Sequence, residues 1–517
     1  MSTETELKLR LDAKAIRRLR SHPLVTSLRR TRTVTRLLKS VYFDTADQHL
    51  RQRQLVLRVR HVGRRRIQTL KTVGTFQAGS WSRGEWETEI SGDMPEWLAL
   101  QTSGDAPAFL QDGRLMAELR PIFTTDVRRS TYLLADDDWE IELALDVGVI
   151  RAGDRSTDIC EAELELKRGV PTHLFDLALA FQRDIPMQLM TATKAARGYA
   201  LVDEVVPGPS KADPVQLHPE MPAGTAFRAI ARSCFGQLLR NQDCLMATRD
   251  PEAIHQMRVA LRRLRSAITV FKTLLDTPET AWLRDELSWF LRPLGVARDC
   301  DVFIEEIMDP LAPRLANDPG YQKLREDILL ERQTAYDVVQ DVLAQPRLTG
   351  LTLRLGRWIE AGDWTVIDDD EHRSRLATPV ALLARSALRK RDRRISQAMD
   401  QFAELTPDAR HQARIQVKKM RYSIDFFISL FHQEKTRRLS ATLASLQDNL
   451  GLLNDIAIAE RRLRELAERS GDSQRLWTAG VIVGWQAARV EALLTTAAGD
   501  WRRYHDLPRH WRAKDRA

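Results

Sequence analysis

The chain has 517 residues, 43% hydrophobic and 29% charged, with a net charge of +8 and a pI of about 9.4. That length exceeds one ordinary core and predicts at least two domains, and the composition excludes a disordered chain. No apolar run nears the roughly 20 residues of a membrane span, and the charge balance favours an anionic partner.

The charged N-terminal strand does not read as a secretory leader. Cys160, Cys234, Cys244 and Cys300 form no CxxC pair and no zinc spacing. Reduced thiols and a cytoplasmic location are expected. Residues 1–206 hold 31 Lys+Arg against 29 Asp+Glu, and the remainder 48 against 42. Neither part is a basic block, so placement of charge carries the functional argument.

The first element is "STETELKLRL", residues 2–11. Glu4, Glu6 and Lys8 alternate with Leu7, Leu9 and Leu11, which predicts a β-strand with one apolar and one charged face. The pattern recurs along the first 200 residues. "LVLRVR" aligns Arg58 and Arg60 opposite Leu57 and Val59, and "SRGEWETEI" aligns Arg83, Glu85, Glu87 and Glu89. "WEIELALDV" sets Glu140, Glu142 and Asp146 against Ile141, Leu143 and Leu145. "EAELELK" sets Glu161, Glu163, Glu165 and Lys167 against Ala162, Leu164 and Leu166. Lys71, Arg128 and Arg129 lie on further strands. Alternation alone favours an open sheet with its charges in water. A closed barrel with inward charges needs a charged ligand and metal ions to offset them.

Residues 207–222 contain five prolines and predict an extended linker. Helical spacing follows, with long runs at 253–275, 322–343, 379–403 and 409–432. "HQMRVALRRLRS" from His255 matches "HQARIQVKKMRYS" from His411 at an offset of 156. The same offset relates Phe271 to Phe427 and "LGVARD" (294–299) to "LGLLND" (450–455). This predicts a duplicated helical bundle with a pseudo-twofold, and an acidic loop, "DDDEH" (368–372), between the copies. Within each copy, His255, Arg258, Arg262 and Arg265, and His411, Arg414, Lys418 and Arg421, share one helix face opposite apolar positions. One such stripe reads as a solvated face; its repetition argues for a site that grips an anion.

The first part resembles the CYTH superfamily, the triphosphate tunnel metalloenzymes, through "TELKLRL", "VYFDTADQHLRQRQLVLRVR", "QTLK", "SRGEWE", "EIELALDVGVIRAG", "ICEAELELKRG" and "TATKAARGYAL", in family order. The second part resembles the CHAD family over about residues 217–510, through the His255 and His411 motifs. The pair of resemblances points to bacterial inorganic triphosphatases with a second helical domain. They imply an α+β chain: an N-terminal eight-stranded antiparallel β tunnel with flanking helices over residues 1–206, the linker, and an all-α duplicated bundle over 223–510.

The resemblance implies a lumen that hydrolyses tripolyphosphate to pyrophosphate and phosphate. Lys8, Arg58, Arg60, Lys71, Arg83, Arg129 and Lys194 would bind phosphate oxygens. Glu4, Glu6, Asp146, Glu163 and Glu165 would hold Mg²⁺ or Mn²⁺, with Glu85 and Glu142 behind them. The catalytic set is Glu4, Glu6, Lys8, Arg58, Arg60, Lys71, Arg129 and Lys194. Both stripes would bind inorganic polyphosphate, allowing association with polyphosphate granules. Lys418 stands where the first copy has Arg262, keeping charge without bidentate geometry. Lys39, Arg128 and Lys167 have no assigned direction.

These residue types suit the chemistry. Fixed cations stabilise charge spread over phosphoryl oxygens, and hard carboxylates suit Mg²⁺ or Mn²⁺. No Walker-type glycine loop and no Ser/His/Asp or Cys/His nucleophile is present. Thiamine triphosphate, nucleoside triphosphates and long-chain polyphosphate stand as other substrates, and non-catalytic polyphosphate binding as another function. An adenylate cyclase finds no adenine pocket in the sequence. Nucleic-acid binding lacks aromatics interleaved with the basic stripes.

Overall fold

The computed structural model describes residues 2–72, 74–77, 80–96, 113–400 and 402–512. By packing, the chain forms two compact units. The first comprises residues 1–211, 235–253 and 343–362; the second comprises 212–234, 254–342 and 363–517.

Among the described residues, ten strands form one sheet in the first unit: β1 (Ser2–Arg10), β2 (Val34–Asp44), β3 (Leu55–Val62), β4 (Arg65–Thr72), β5 (Thr75–Gln77), β6 (Ser80–Ile90), β7 (Arg120–Ala135), β8 (Glu140–Ala152), β9 (Arg155–Arg168) and β10 (Gln188–Leu189). Their order is β10-β1-β9-β8-β7-β2-β3-β4-β6-β5, and β1 also pairs with β6. That last pairing matches Ser2–Leu7 with Glu85–Ser80 and makes eight strands run round in a ring. The pairings are antiparallel throughout.

Register fixes which side chains share a surface, because cross-strand partners point the same way. Glu6 faces Glu165, Lys8 faces Glu163 and Arg10 faces Glu161. Arg129 faces Asp146, and Asp146 faces Glu161. Lys71 faces Glu85. The charged rows of all these strands therefore form one inner surface. The intervening residues Leu7, Leu9, Leu143, Leu145 and Leu164 are fully buried on the outer side. The amphipathic cover is the helix Thr172–Gln182, which packs on β1 and β9 with Leu174, Phe175, Ala178 and Phe181 buried. Each leucine so buried stabilises by about 1.5–3 kcal/mol. The open sheet favoured by alternation alone is thus replaced by a ring with charges inside.

The helix Pro346–Ala361 packs on Thr172–Gln182. Arg357 pairs with Asp176 at 2.5 Å, and Thr349 Oγ1 donates to Met187 O at 2.7 Å. These contacts explain why residues 343–362 belong with the strands, although sequence pattern groups them with the helical half.

The second unit is helical, with Pro251–Val270, Pro319–Ala344, Val380–Ala398 and Pro407–Phe427 on the predicted runs. Phe271 and Phe427, equivalent in the two copies, have ring centroids 6.1 Å apart. The expected acidic loop is instead largely helical: Asp370–Ala377 forms a helix capped by Asp369, whose carboxylate accepts from Glu371 N and His372 N. Its acidic first turn complements the helix dipole, which the composition of the segment alone conceals.

Candidate active site

Inside the ring lies a cavity of about 520 Å³, within the usual size range of small-ligand sites. Lys8, Arg58, Arg60, Lys71, Arg129, Lys194, Glu163 and Glu165, all candidates from the sequence, line it. Tyr42, Glu85, Glu87, Glu142, Lys167, Thr191 and Thr193 line it too. In the ring order β3 stands four strands from β9 in either direction. Arg58 and Arg60 are therefore opposite Glu163 and Glu165.

The β8–β9 wall holds a dense ion cluster. Lys194 Nζ lies 2.7 Å from Asp146 and 2.9 Å from Glu163, and also bonds Glu161. Arg129 reaches Asp146 through two parallel bonds, of 2.8 and 2.6 Å, and adds one to Glu163. Lys8 bonds Glu163, and Glu6 at 3.0 Å, with both Lys8 and Glu6 only 2% exposed. Burial works against the Glu163 carboxylate, but Lys194, Lys8 and Arg129 hold its pKa well below the ordinary value. Burial also opposes the Lys194 ammonium, and Asp146, Glu161 and Glu163 outweigh it and raise its pKa. Lys194 is the first residue of the helix Lys194–Asp203, capped by Thr193 through Ala196 N.

The opposite wall carries Arg58, Arg60 and Lys71 beside Glu85 and Glu87. Lys71 pairs with Glu85 at 2.8 Å, while Arg58 lies 3.7 and 3.8 Å from Glu85 and Glu87. Arg60 donates to Ser40 Oγ at 3.3 Å. Burial, with Arg58 and Arg129 nearby, lowers its pKa to about 9. Burial is the larger cause of this shift, and the neighbouring guanidinium groups add to it.

Asp146, Glu161 and Glu163 each offer an oxygen within 4.8 Å of the others. Such hard donors fit Mg²⁺ or Mn²⁺. Of the ligands expected from sequence, Asp146 and Glu163 belong to this trio. Glu6 is turned to Lys8, and Glu165 bonds Lys167 at 2.5 Å. Glu4 and Arg83 are partners in the β1–β6 register, and their side chains lie outside the described residues. Glu161 was not placed among the candidate ligands from sequence, although it shares the parity of Glu163 and Glu165 and joins this trio. Lys167 lines the cavity, while Lys39 and Arg128 are exposed.

A second basic cluster occupies the helical unit. Arg258, Arg262, Arg414 and Lys418 lie close enough to perturb one another. Burial and then Arg262 lower Arg258 to about 10; burial, Arg414 and Arg262 lower Lys418 to about 7. The two stripes thus converge as their repetition implied. His411 donates from Nδ1 to Asn454 Oδ1 at 2.6 Å, the tautomer being set because a carbonyl oxygen only accepts. His255 takes part in interactions of its own on the first stripe. Arg265 is exposed, and Arg421 turns to Asp425 at 3.8 Å.

Two repeated features were not assigned from sequence. Asp299 and Asp455 stand at equivalent positions and approach Arg258 and Arg414 at 3.7 and 3.9 Å. Gly295 and Gly451, also equivalent, face the same arginines. A methyl group at Gly295 would lie 2.7 Å from Arg258 Nη1, and one at Gly451 3.8 Å from Arg414 Nε. Gly295→Ala is expected to displace Arg258 and weaken polyphosphate binding at least threefold, with Gly451→Ala near the parent. Equal effects of the two, measured by titration with labelled polyphosphate, would contradict this geometry.

Family models match both parts of the chain: the CYTH domain over residues 2–199 and the CHAD domain over residues 229–464. The chain is thus similar to CYTH domains in its first part and to CHAD domains in its second. An inorganic triphosphatase of Haemophilus influenzae is 36% identical over 167 residues, which is 32% of this chain and 46% of that protein. The match thus spans less than half of that relative. An uncharacterised protein of Mycobacterium tuberculosis is 27% identical over 418 residues, 75% of each chain. Among solved structures, the CHAD domain from the plant Ricinus communis superposes with a TM-score of 0.51 and 27% identity, over 58% of this chain and 98% of that one. Among the described residues, no helix is long and apolar enough to cross a membrane.

Proposed function

We propose that the chain is a metal-dependent inorganic triphosphatase, converting tripolyphosphate and water to pyrophosphate and phosphate, with a helical domain that binds inorganic polyphosphate. The observation that carries this reading is the two-walled cavity. A wall carrying Arg58, Arg60 and Lys71 stands opposite a wall whose carboxylates Asp146, Glu161 and Glu163 converge.

Arg58, Arg60 and Lys71 bind phosphate oxygens on one side, and Lys8, Arg129 and Lys194 on the other, with Arg83 on β6 completing the set. These groups are held by strand backbone, or for Lys194 by a capped helix start, and by neighbouring carboxylates, so they stabilise the charge that spreads over the transferring phosphoryl group with little reorganisation. Asp146, Glu161 and Glu163, with Glu4, Glu6 and Glu165 on neighbouring strand positions, would hold Mg²⁺ or Mn²⁺, which would supply further charge neutralisation and orient water. The carboxylates also favour the charged forms of Arg129 and Lys194 and hold Lys8 by ion pairs. Arg258, Arg262, Arg414 and Lys418, with His255 and His411, bind polyphosphate through charge-assisted hydrogen bonds.

The test is phosphate release from tripolyphosphate, pyrophosphate, ATP and thiamine triphosphate, each with and without Mg²⁺ or Mn²⁺. Metal-dependent release that is fastest from tripolyphosphate is expected. Release from ATP or thiamine triphosphate at a higher kcat/KM would reassign the substrate, and no release from any would overturn the catalytic reading.

A further inference from the structure

We infer that Asp243, from the helical part of the chain, is a positioning residue for Lys194 in the strand-rich unit. The inference rests on the triphosphatase reading for its catalytic consequence, and on geometry alone for its structural one. Asp243 lies on the helix Ala223–Thr248, within the stretch matched by the CHAD model. Residues 235–253 nevertheless pack in the same unit as the strands.

Its carboxylate holds one short segment. Asp243 Oδ2 accepts from Thr191 N at 3.2 Å and from Thr191 Oγ1 at 2.5 Å. Its other oxygen accepts from Arg10 Nη2 at 3.3 Å. Thr191 lines the cavity, and two residues later Thr193 caps the helix whose first residue is Lys194. The other end of the segment is fixed to β1: Met190 N donates to Lys8 O at 3.0 Å, and Leu189 pairs with Leu9. Residues 189–194 are thus a bridge between the strand that carries Lys8 and the helix that carries Lys194. Asp243 is the side-chain anchor at its middle.

Thr191 is 9% exposed, so its N–H and hydroxyl have little water to turn to if Asp243 is removed. A buried donor left without an acceptor is costly, and the segment relaxes until it finds one. That relaxation moves the Thr193 cap and the direction from which Lys194 enters the lumen. A shift near 1 Å in a group that binds a transferring phosphoryl is enough to slow a reaction strongly. Asp243 acts on Lys194 through Thr191.

The experiment uses the full-length protein. Asp243→Ala is expected to lower kcat for tripolyphosphate about tenfold and to raise hydrogen–deuterium exchange across residues 189–196. Polyphosphate affinity of the helical unit is expected to stay within twofold. Asp243→Asn, which keeps a carbonyl oxygen for Thr191, is expected within threefold of the parent. In a Lys194→Gln background Asp243→Ala should add less than twofold, because the group it positions is gone. A full tenfold further loss in that background would overturn the inference, as would unchanged exchange in Asp243→Ala. A parent that releases no phosphate would refute the triphosphatase reading, and the exchange measurement would still decide the anchoring of residues 189–196.

Discussion

Glu163→Gln is expected to lower metal-dependent phosphate release from tripolyphosphate by at least about a hundredfold, the scale of losing one fixed charge-stabilising group in an active site. Glu163 is where the ion cluster converges: Lys8, Arg129 and Lys194 all donate to it. An amide keeps the shape but removes the charge, and its NH₂ faces groups that only donate. The same substitution takes one carboxylate from the trio of Asp146, Glu161 and Glu163. Breaking a buried ion pair costs about 3–5 kcal/mol when a charge is left alone. Here Asp146 and Glu161 still pair with Lys194, and Glu6 with Lys8, so the loss of stability should fall below that range. Thermal unfolding should show a lowered but cooperative transition. Turnover within threefold of the parent in saturating Mg²⁺ would contradict the role given to this wall.

Polyphosphate binding by the helical unit is expected to weaken about tenfold as pH rises from 7 to 8.5. Burial and the charges of Arg414 and Arg262 lower the Lys418 ammonium to about 7, so in the free protein it deprotonates across this window. A bound polyanion favours the protonated form, which couples binding to proton uptake; each pH unit between the free and bound pKa can change affinity up to about tenfold. The sign for stability follows from the same shift. The folded pKa lies below the ordinary lysine value, so between the two the unfolded chain holds more protons. The unliganded fold is therefore penalised fully below pH 7 and gains stability as pH rises from about 7 towards the unfolded lysine pKa of about 10.4. Lys418→Arg keeps the charge at all these pH values and is expected to flatten the binding profile. An unchanged slope in that variant would assign the pH dependence to groups other than Lys418.

Much of the strand-rich unit was legible because side-chain parity is a local property. Glu6, Lys8, Arg58, Arg60, Lys71, Glu163 and Glu165 could be set on one face from sequence spacing. The direction of that face could not, since alternation is the same for an open sheet and a ring. Only the family resemblance pointed inward. Lys167 against Lys39 and Arg128 shows the same limit: cross-strand register and ring curvature decide which cations reach the lumen. Glu161 was readable in parity and overlooked, because its convergence with Asp146 depends on the β8–β9 register.

Long-range contacts were invisible. Asp243 and Thr191 are 52 residues apart, on opposite sides of the proline-rich segment. That contact also changes how separable the halves are. The stripe residues Arg258, Arg262, Arg414 and Lys418 belong to a different unit from the lumen, and their joint replacement by Gln should leave hydrolysis within a few-fold. A fragment ending at residue 206 would lack Asp243 and the helix Pro346–Ala361. In the second unit the repeat at 156 residues located both stripes, whereas the room left by Gly295 for Arg258 depends on helix packing that no spacing encodes.

The most direct test of the account is the position of Mn²⁺ and tripolyphosphate in crystals of the full-length protein, with manganese located by anomalous scattering. The account predicts three phosphorus centres inside the ring, between Arg58, Arg60 and Lys71 on one side and Lys8, Arg129 and Lys194 on the other. It predicts manganese within about 2.2 Å, the distance expected of hard oxygen ligands to such an ion, of carboxylate oxygens from β1, β8 or β9. Tripolyphosphate found only on the helical unit, or manganese away from those three strands, would contradict it.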